Sequence, residues 1–225
     1  MSAALQTLVI AVDGTSGSGK SSTCRAVAAR LGLRYLDTGA MFRAVTWWLL
    51  QDGVDVHDPE AVAAATDRPV IESGTDPLAP SIAVDGTDVS VAIRADDVTR
   101  AVSPVSTVPA VRARLLRLQR ETIGSGGIVV EGRDIASVVW PQAQVKVFLT
   151  ADPAARAARR SAEQGGTDVT ATRDLLLERD RIDAGRATAP LTRADGAVHL
   201  DTTAYTLDEV VEQILTLVES VEDQT

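Results

Sequence analysis

A glycine-rich segment near the start of the chain carries one lysine and several hydroxyl groups at fixed spacing. It reads GTSGSGKS from Gly14 to Ser21 and matches the pattern GxxxxGK[ST] at every fixed position. Glycines lack the side chains that would stop successive backbone amides from pointing inward around an anion. An ammonium group and a hydroxyl at a helix N-terminus suit a polyphosphate and its magnesium ion. The spacing therefore predicts a phosphate cradle (a P-loop) rather than a glycine turn of no consequence.

The elements on either side of this segment support nucleotide binding. Leu8–Val12 is a continuous apolar run, typical of a strand buried on both faces, and Lys20–Leu31 has helical spacing. Strand, glycine loop and helix in this order form the context that the pattern requires. We expect Lys20 to bridge the outer phosphates of ATP and Ser21 to bind Mg²⁺. The predicted ATP-binding residues are Gly14, Thr15, Ser16, Gly17, Ser18, Gly19, Lys20, Ser21 and Ser22.

The rest of the chain alternates apolar strand-like runs with helical periodicity. Ile128–Val130, Val145–Leu149 and Val198–Leu200 predict further strands, each separated from the next by helical spacing. This alternation predicts a three-layer α/β fold in which helices cover a parallel sheet. From Arg68 to Val91, short alternating runs separated by turns such as Asp85-Gly86 predict a small antiparallel β region inserted into that fold.

Composition and charge exclude several classes of protein. The 225 residues carry a net charge of −9, which disfavours a nucleic-acid partner because the phosphate backbone would be repelled. Cys24 is the only cysteine, so no intrachain disulfide can form. No stretch approaches the roughly 20 apolar residues that a membrane span needs. We expect a monomeric cytoplasmic protein with neither a membrane nor a nucleic-acid partner.

Arginine content narrows the class of P-loop protein. The chain has 20 arginines but no asparagine, so it cannot supply the Asn-Lys-x-Asp motif with which GTPases read the base. Arginines in short clusters suit a kinase whose acceptor is itself a phosphate. Two alternatives stay open: a P-loop kinase for another small acceptor, such as AMP, UMP or an alcohol, and a non-catalytic module that senses nucleotides.

Six ordered blocks resemble bacterial cytidylate kinases over nearly the whole chain. The blocks are GTSGSGKSS, LDTGAMFRAV, VSPVSTVPAVR, EGRDIASVV, VKVFLTADPAARAARR and ERDRIDAGRATAPL. The resemblance implies a P-loop kinase that transfers the γ-phosphate of ATP to CMP or dCMP in pyrimidine nucleotide metabolism. It also implies a single domain, with a core of residues 1–67, 104–155 and 187–225, a monophosphate-binding insert at 68–103 and a helical lid at 156–186.

The resemblance implies roles on the acceptor side as well. Arg43 and Arg133 would hold the CMP phosphate, and Asp134 would contact the base. Cytosine presents an exocyclic amine, so a carboxylate is the expected reader, whereas the carbonyl oxygen of uracil would be repelled there. The implied CMP-binding residues are Thr38, Arg43, Ser103, Arg112, Arg133, Asp134, Arg179, Asp183 and Arg186.

Several of these residues have a plainer interpretation when the resemblance is set aside. Ser103 would be a loop residue before Pro104, and Arg112 would lie on a solvated helix face. Arg179 and Asp183 are four residues apart, which is also the spacing of a common surface ion pair. Their assignment to the CMP site therefore depends on the family.

On the donor side, the resemblance implies lid arginines that approach the ATP phosphates. Arg156 and Arg160 would do so, with Arg159 as an alternative, and Glu131 would orient Mg²⁺ through water. The CMP phosphate is already a nucleophilic anion, so the reaction needs charge neutralisation rather than a general base. The predicted catalytic residues are Lys20, Arg133, Arg156 and Arg160.

Overall fold

The structure, a computed structural model, describes residues 3–163, 165–186 and 188–222. Five of the strands in these residues form a parallel sheet, and three others form a separate antiparallel sheet. The strands are β1 (Val9–Gly14), β2 (Arg34–Asp37), β3 (Ile71–Ser73), β4 (Ile82–Val84), β5 (Thr87–Asp88), β6 (Ile128–Gly132), β7 (Val145–Thr150) and β8 (Val198–Asp201). The parallel sheet has the order β2-β6-β1-β7-β8. The predicted α/β class with a small inserted β region is confirmed.

Helices surround the parallel sheet. They are α1 (Ala3–Thr7), α2 (Lys20–Leu31), α3 (Thr38–Gln51), α4 (Pro59–Ala65), α5 (Asp96–Thr107), α6 (Pro109–Ile123), α7 (Pro153–Glu163), α8 (Val169–Gly185) and α9 (Leu207–Glu222). A 3-10 turn at Ala92–Arg94 and a π-helical turn at Ile135–Val139 are also present. None of the described helices has the length and apolar character to span a bilayer.

The central strand β1 is buried on both faces because its alternate side chains enter two different cores. Val9 and Ala11 pack in a core to which α3, α5 and α6 contribute. Ile10 and Val12 pack in a second core, built with α2 and α9. Side chains alternate across a strand, so a strand covered on both sides must be apolar throughout. This explains the continuous apolar run that the sequence shows before the P-loop.

The inserted sheet of β3, β4 and β5 is joined to α3 at its hairpin tip. The indole Nε1 of Trp48 donates to Asp85 Oδ2 at 3.1 Å, and Asp85 Oδ1 accepts from the backbone N–H of Val70 at 2.7 Å. Ile82 and Val84 bury their side chains in the same core as Met41 of α3. The insert is thus tied to the helix that also carries Arg43.

Helix α5 differs from the expectation drawn from the sequence. It continues through Pro104 to Thr107, so Ser103 lies on a helix and not in a loop. Proline removes one helical hydrogen bond, but Val98 and Val105 on this helix are fully buried, and their packing outweighs that loss. The helix also crosses the expected boundary between residues 103 and 104, and the domain limits stay a prediction. Gln164, which falls inside the expected lid, lies outside the described residues.

The P-loop begins where β1 passes very close to β7. Gly14 has φ +149°, and a Cβ built on it would lie 1.9 Å from the carbonyl oxygen of Leu149. The next residue, Thr15, donates its backbone N–H to that same oxygen at 3.2 Å. A side chain at position 14 would therefore break the contact that sets the direction of the loop.

We expect Gly14→Ala to lower the free energy of unfolding by at least about 3 kcal/mol, because the new methyl group meets backbone that cannot move aside. The matched control is Gly53→Ala. Gly53 also has a positive φ, +72°, but no atom lies within 4 Å of an added Cβ, so this change should cost only about 1–2 kcal/mol. Urea denaturation measures both variants. Equal losses of unfolding free energy in the two variants would show that the close approach of Gly14 to β7 is not the reason why Gly14→Ala is destabilising.

Candidate functional site

The candidate site lies at the carboxyl edge of the parallel sheet. The strand register places Asp37 of β2 beside Glu131 of β6, and Glu131 beside Val12 of β1. Because the strands are parallel, the segments that follow them meet at the same edge. The P-loop, the start of α3 and the Arg133–Asp134 segment are brought together in this way. A cavity of about 270 Å³ opens between them.

Most of the predicted site residues line this cavity. They are Ser16, Gly17, Gly19, Lys20, Ser21, Ser22, Thr38, Arg43, Ser103, Arg133, Asp134, Arg160, Arg179, Asp183 and Arg186. Five predicted residues are not among the residues that line it: Gly14, Thr15, Ser18, Arg112 and Arg156. The first three belong to the P-loop itself. Arg112 contacts a residue of the cavity wall, and Arg156 contacts the P-loop backbone.

Lys20 lies at the first position of α2, in the wall of the cavity. Its ammonium Nζ donates to the carbonyl oxygen of Thr15 at 2.7 Å. Burial lowers the pKa of Lys20, and the nearby charge of Arg133 lowers it further, while Glu131 opposes the shift. A polyphosphate bound at the loop would favour the charged ammonium, since opposite charge stabilises a cation.

Glu131 at the end of β6 has a buried carboxylate held by hydroxyl groups. The hydroxyl of Tyr35 donates to Glu131 Oε1, and Ser21 also hydrogen-bonds to this carboxylate. Burial raises the pKa of Glu131, and the charge of Asp37 raises it further. The sequence does not predict this role of Tyr35, because no pattern within a buried strand indicates that its phenol will contact a carboxylate on the neighbouring strand.

The oxygen atoms of Ser21 and Glu131 suit a magnesium ion. Mg²⁺ in nucleotide sites takes one or two protein oxygen ligands and fills its other positions with phosphates and water. Among the described residues, no group of three or more His, Cys, Asp or Glu side chains could hold a metal without such help. A divalent ion here would depend on the substrate phosphates for its remaining ligands.

Arg43 is a buried cation with neutral hydrogen-bond partners. Its Nη1 donates to the carbonyl oxygen of Ile93 at 3.2 Å and to the hydroxyl of Thr99 at 3.0 Å. Its pKa is lowered to about 9, first by burial and then by the neighbouring positive charges of Arg179, Arg94 and Arg160. Several cations thus share one wall of the cavity, and a phosphate placed among them would be strongly attracted.

Arg133 and Asp183 join the P-loop to α8. Arg133 donates from Nη1 to the carbonyl oxygen of Gly14 at 2.8 Å and from Nε to Asp183 Oδ2 at 2.9 Å. Arg186 lies 3.4 Å from the other carboxylate oxygen of Asp183. Although burial raises the pKa of Asp183, these two arginines hold it below its ordinary value. Asp183 is therefore part of a buried network, and not the surface partner of Arg179.

Asp134 and Arg112 form a buried ion pair at another part of the cavity wall. Arg112 Nη2 donates to Asp134 Oδ2, and its Nη1 donates to the carbonyl oxygen of Ser106 at 3.3 Å. The guanidinium carbon of Arg112 lies 5.4 Å from the centre of the Phe42 ring. Burial raises the pKa of Asp134, and Arg112 opposes that shift. Arg112 therefore does not lie on a solvated helix face; its tertiary environment explains why the periodicity of the helix alone misplaces it.

The three arginines of α7 have different surroundings. Arg156 is 4% exposed and donates to the carbonyl oxygen of Ser16 at 2.9 Å, on the P-loop backbone. Arg159 and Arg160 both line the cavity, and Arg159 Nη1 donates to the hydroxyl of Thr202 at 2.9 Å. The alternative, Arg159, is thus better placed for a substrate than Arg156. A direct contact between Arg156 and phosphate stays a prediction.

Two charged residues of the cavity wall were missed in the sequence. Asp37 accepts from the backbone N–H of Ala40 at 2.9 Å as the N-cap of α3, and Arg94 lies 3.2 Å from its other oxygen. An acidic residue before a helical run is a recognisable capping signal. Arg94 has no such signal, because it reaches the cavity only through the packing of the inserted region.

Comparison with known proteins identifies the family. A family model described as Cytidylate kinase matches residues 10–220. The chain belongs to the cytidylate kinase family. A relative from Streptomyces griseus subsp. griseus, named cytidylate kinase, is 57% identical over 218 residues, covering 96% of this chain and 94% of that protein. A cytidylate kinase of Rhodococcus opacus is 49% identical over 216 residues, covering 94% of each chain.

A solved structure shares the fold of this cytidylate kinase family member. It is an uncharacterized protein from Eubacterium ventriosum, with a TM-score of 0.52 and 12% sequence identity, covering 95% of this chain and 99% of that one. At this identity the likeness concerns the fold alone. The resemblance seen in the six sequence blocks is confirmed by the family match.

Asp13 of this cytidylate kinase family member connects β1 to the segment after β6. Its two carboxylate oxygens accept from the backbone N–H groups of Ile135 and Ala136, at 2.7 and 2.8 Å. Burial raises the pKa of Asp13 from 3.8 to about 6, with a smaller contribution from Asp134, and the two backbone hydrogen bonds oppose the shift. Asp13 thus fixes the turn that follows Arg133 and Asp134.

We expect the stability that Asp13 contributes to decrease as pH rises. Its pKa is higher in the folded protein than in the unfolded chain, so between about pH 4 and pH 6 the unfolded chain loses this proton while the folded state keeps it. The stability contributed by Asp13 is therefore full below about pH 4, decreases across this range and levels off above about pH 6. Relative to Asp13→Asn, which cannot titrate, wild-type stability should fall by about 1 kcal/mol from pH 5 to pH 6.5. Urea denaturation at the two pH values measures the difference; a constant difference would contradict the shifted pKa.

Proposed function

We propose that this chain transfers the γ-phosphate of ATP to CMP, giving ADP and CDP, and accepts dCMP as well, in pyrimidine nucleotide metabolism. The observation that carries the proposal is a single cavity lined by the P-loop lysine, a group of arginines and the buried Asp134. Membership in the cytidylate kinase family supports it, as do relatives that are named cytidylate kinases. The substrates would be nucleotides, used in the cytoplasm.

The base would be read by the pair of Asp134 and Arg112. The Asp134 carboxylate suits the exocyclic amine of cytosine, and Arg112 and Ser103 can donate to its ring acceptors. Arg112 already donates to Asp134, so the carboxylate keeps a fixed orientation in the cavity wall. Uracil would place a carbonyl oxygen against this carboxylate and bind less well.

The phosphates would be held by positive charge on both sides of the transferred group. Lys20 and the P-loop amides would bind ATP, and Arg43, Arg133 and Arg186 would bind the CMP phosphate, which attacks directly as an anion. Mg²⁺, held by Ser21 and through water by Glu131, would neutralise charge on the ATP phosphates. Neutralisation of the negative charge on the two substrates is the main catalytic effect expected here. Electrostatic attraction between the cations and the phosphates is strongest where water is excluded.

A kinase for an alcohol acceptor fits the cavity less well. That reaction needs a carboxylate placed to take the hydroxyl proton. Three carboxylates of the cavity wall each pair with an arginine: those of Asp37, Asp134 and Asp183. The carboxylate of Glu131 accepts a hydrogen bond from the hydroxyl of Tyr35. These partners favour an acceptor that carries its own negative charge. An ATP-consumption assay with CMP, dCMP, UMP and AMP in turn tests the choice of acceptor.

We expect Lys20→Ala to lower kcat for CMP by a factor on the order of 10²–10³ or more, because the transferred phosphate loses a fixed positive charge. The fold should be retained, as measured by circular dichroism. Lys146→Ala is the matched control: it removes the other lysine of the chain, on β7 and outside the cavity wall. Near-normal turnover of CMP by Lys20→Ala would contradict the proposed role.

We expect Asp134→Ala to reduce kcat/KM for CMP by a factor on the order of 10–100, while the KM for ATP changes far less, because one base contact of this kind contributes about 1–3 kcal/mol. Asp134→Asn should also narrow the preference for CMP over UMP, since an amide can donate to the uracil carbonyl. Steady-state kinetics with both acceptors measure these effects. An unchanged CMP/UMP ratio in Asp134→Asn would remove Asp134 from base recognition.

A further inference from the structure

A buried ion pair between the helices α7 and α8 holds one residue of the P-loop. Arg156 of α7 donates to the carbonyl oxygen of Ser16 at 2.9 Å, and Asp180 of α8 accepts from the backbone N–H of Ser16 at 2.8 Å. Arg156 and Asp180 also pair with each other through the second carboxylate oxygen. Both backbone polar groups of Ser16 are therefore bound by the same ion pair.

The packing around the next residue shows that the helices lie directly against the loop. Gly17 has φ +75°, and an added Cβ would lie 3.3 Å from both Arg156 Cβ and Leu176 Cδ1. The side chains of Arg156 and Asp180 are only 4% and 14% exposed. An ion pair with so little exposure is screened weakly by solvent and has a fixed geometry. The loop conformation at Ser16 thus depends on the two helices.

Helix α8 reaches the acceptor side within one further turn. Asp183 binds Arg133, which also donates to the carbonyl oxygen of Gly14 at the start of the P-loop. Arg179, the neighbour of Asp180, lines the cavity. Residues 179–183 therefore connect the ATP-binding loop, the cavity and an arginine proposed to bind the CMP phosphate. A helical turn is rigid enough to carry displacement from one of these to another.

We propose that Asp180 and Arg156 are positioning residues that couple the binding of ATP to the binding of CMP. This inference rests on the proposed transfer to CMP. Neither residue is among those that line the cavity, so both act through Ser16. ATP phosphates bind P-loop amides and fix the loop; through Asp180 the loop fixes α8, and α8 then presents Arg179 and Asp183 to CMP. Coupling of this kind must be reciprocal, so CMP strengthens ATP binding by the same factor.

Calorimetric titration of CMP, with and without β,γ-imido-ATP and Mg²⁺, tests this coupling. For the wild-type protein we expect CMP to bind about 10-fold more tightly when the analogue is present, within the usual range for coupled sites. For Asp180→Ala the ratio of the two dissociation constants should fall to about one. The matched control is Asp174→Ala on the same helix, where the carboxylate pairs with Arg173 at the surface, and this variant should keep the wild-type ratio.

A second variant and a second measurement distinguish a loss of coupling from a loss of folding. Asp180→Asn keeps an acceptor for the Ser16 amide but loses the charge that faces Arg156, and should give an intermediate ratio. In Asp180→Ala the amide hydrogen of Ser16 should exchange roughly 10-fold faster by NMR, because it loses its acceptor. A globally destabilised protein would instead accelerate exchange throughout its core.

The outcomes separate this inference from the proposed function. A wild-type ratio of one, or an unchanged ratio in both Asp180 variants, overturns the coupling even if the protein phosphorylates CMP normally. Failure of the wild-type protein to bind CMP at all overturns both the coupling and the function. A ratio that falls in the Asp180 variants and is retained in Asp174→Ala supports the coupling.

Discussion

Buried positive charge is the constraint on which the rest of this structure depends. The chain is acidic, with a net charge of −9, yet it gathers Lys20, Arg43 and Arg179 in the wall of one cavity. Burial lowers the pKa of each of these three groups, because a cation loses hydration there. Nearby carboxylates oppose part of this shift: Glu131 does so at Lys20, Asp37 at Arg43 and Asp183 at Arg179. The charge that is left is available to a phosphate anion.

The parallel sheet makes this arrangement possible because it fixes where the charged segments begin. The ends of β1, β2 and β6 lie side by side, so residues 94 and 119 positions apart in sequence become neighbours of Glu131. The contact of Gly14 with Leu149 and the two hydrogen bonds of Asp13 then direct the segments that follow. These contacts join backbone to backbone or use a buried carboxylate.

Local signals in the sequence predict the fold and the P-loop, and they fail where side-chain direction depends on packing. The GxxxxGK[ST] pattern and the apolar run before it each involve only a few consecutive residues. Both can therefore be recognised in the sequence and predict the local structure correctly. Arg112 is different: its helix has ordinary periodicity, and only the tertiary structure shows that the guanidinium meets Asp134 over Phe42. Arg156 and Arg160 lie four residues apart on α7, but Arg156 turns to the P-loop backbone because α8 packs beside it with Asp180. The direction of such a side chain depends on the neighbouring helix, so the spacing of residues within α7 does not predict it.

The bond between Trp48 and Asp85 has a consequence for protein engineering. Helix α3 and the inserted sheet meet at this indole–carboxylate contact, and Asp85 also fixes the start of β3 through Val70. The inserted region is therefore not a self-contained cassette. A chimera that exchanges this region between related enzymes should also include the matching surface of α3. Without that surface, the inserted sheet loses the hydrogen bond that joins it to α3.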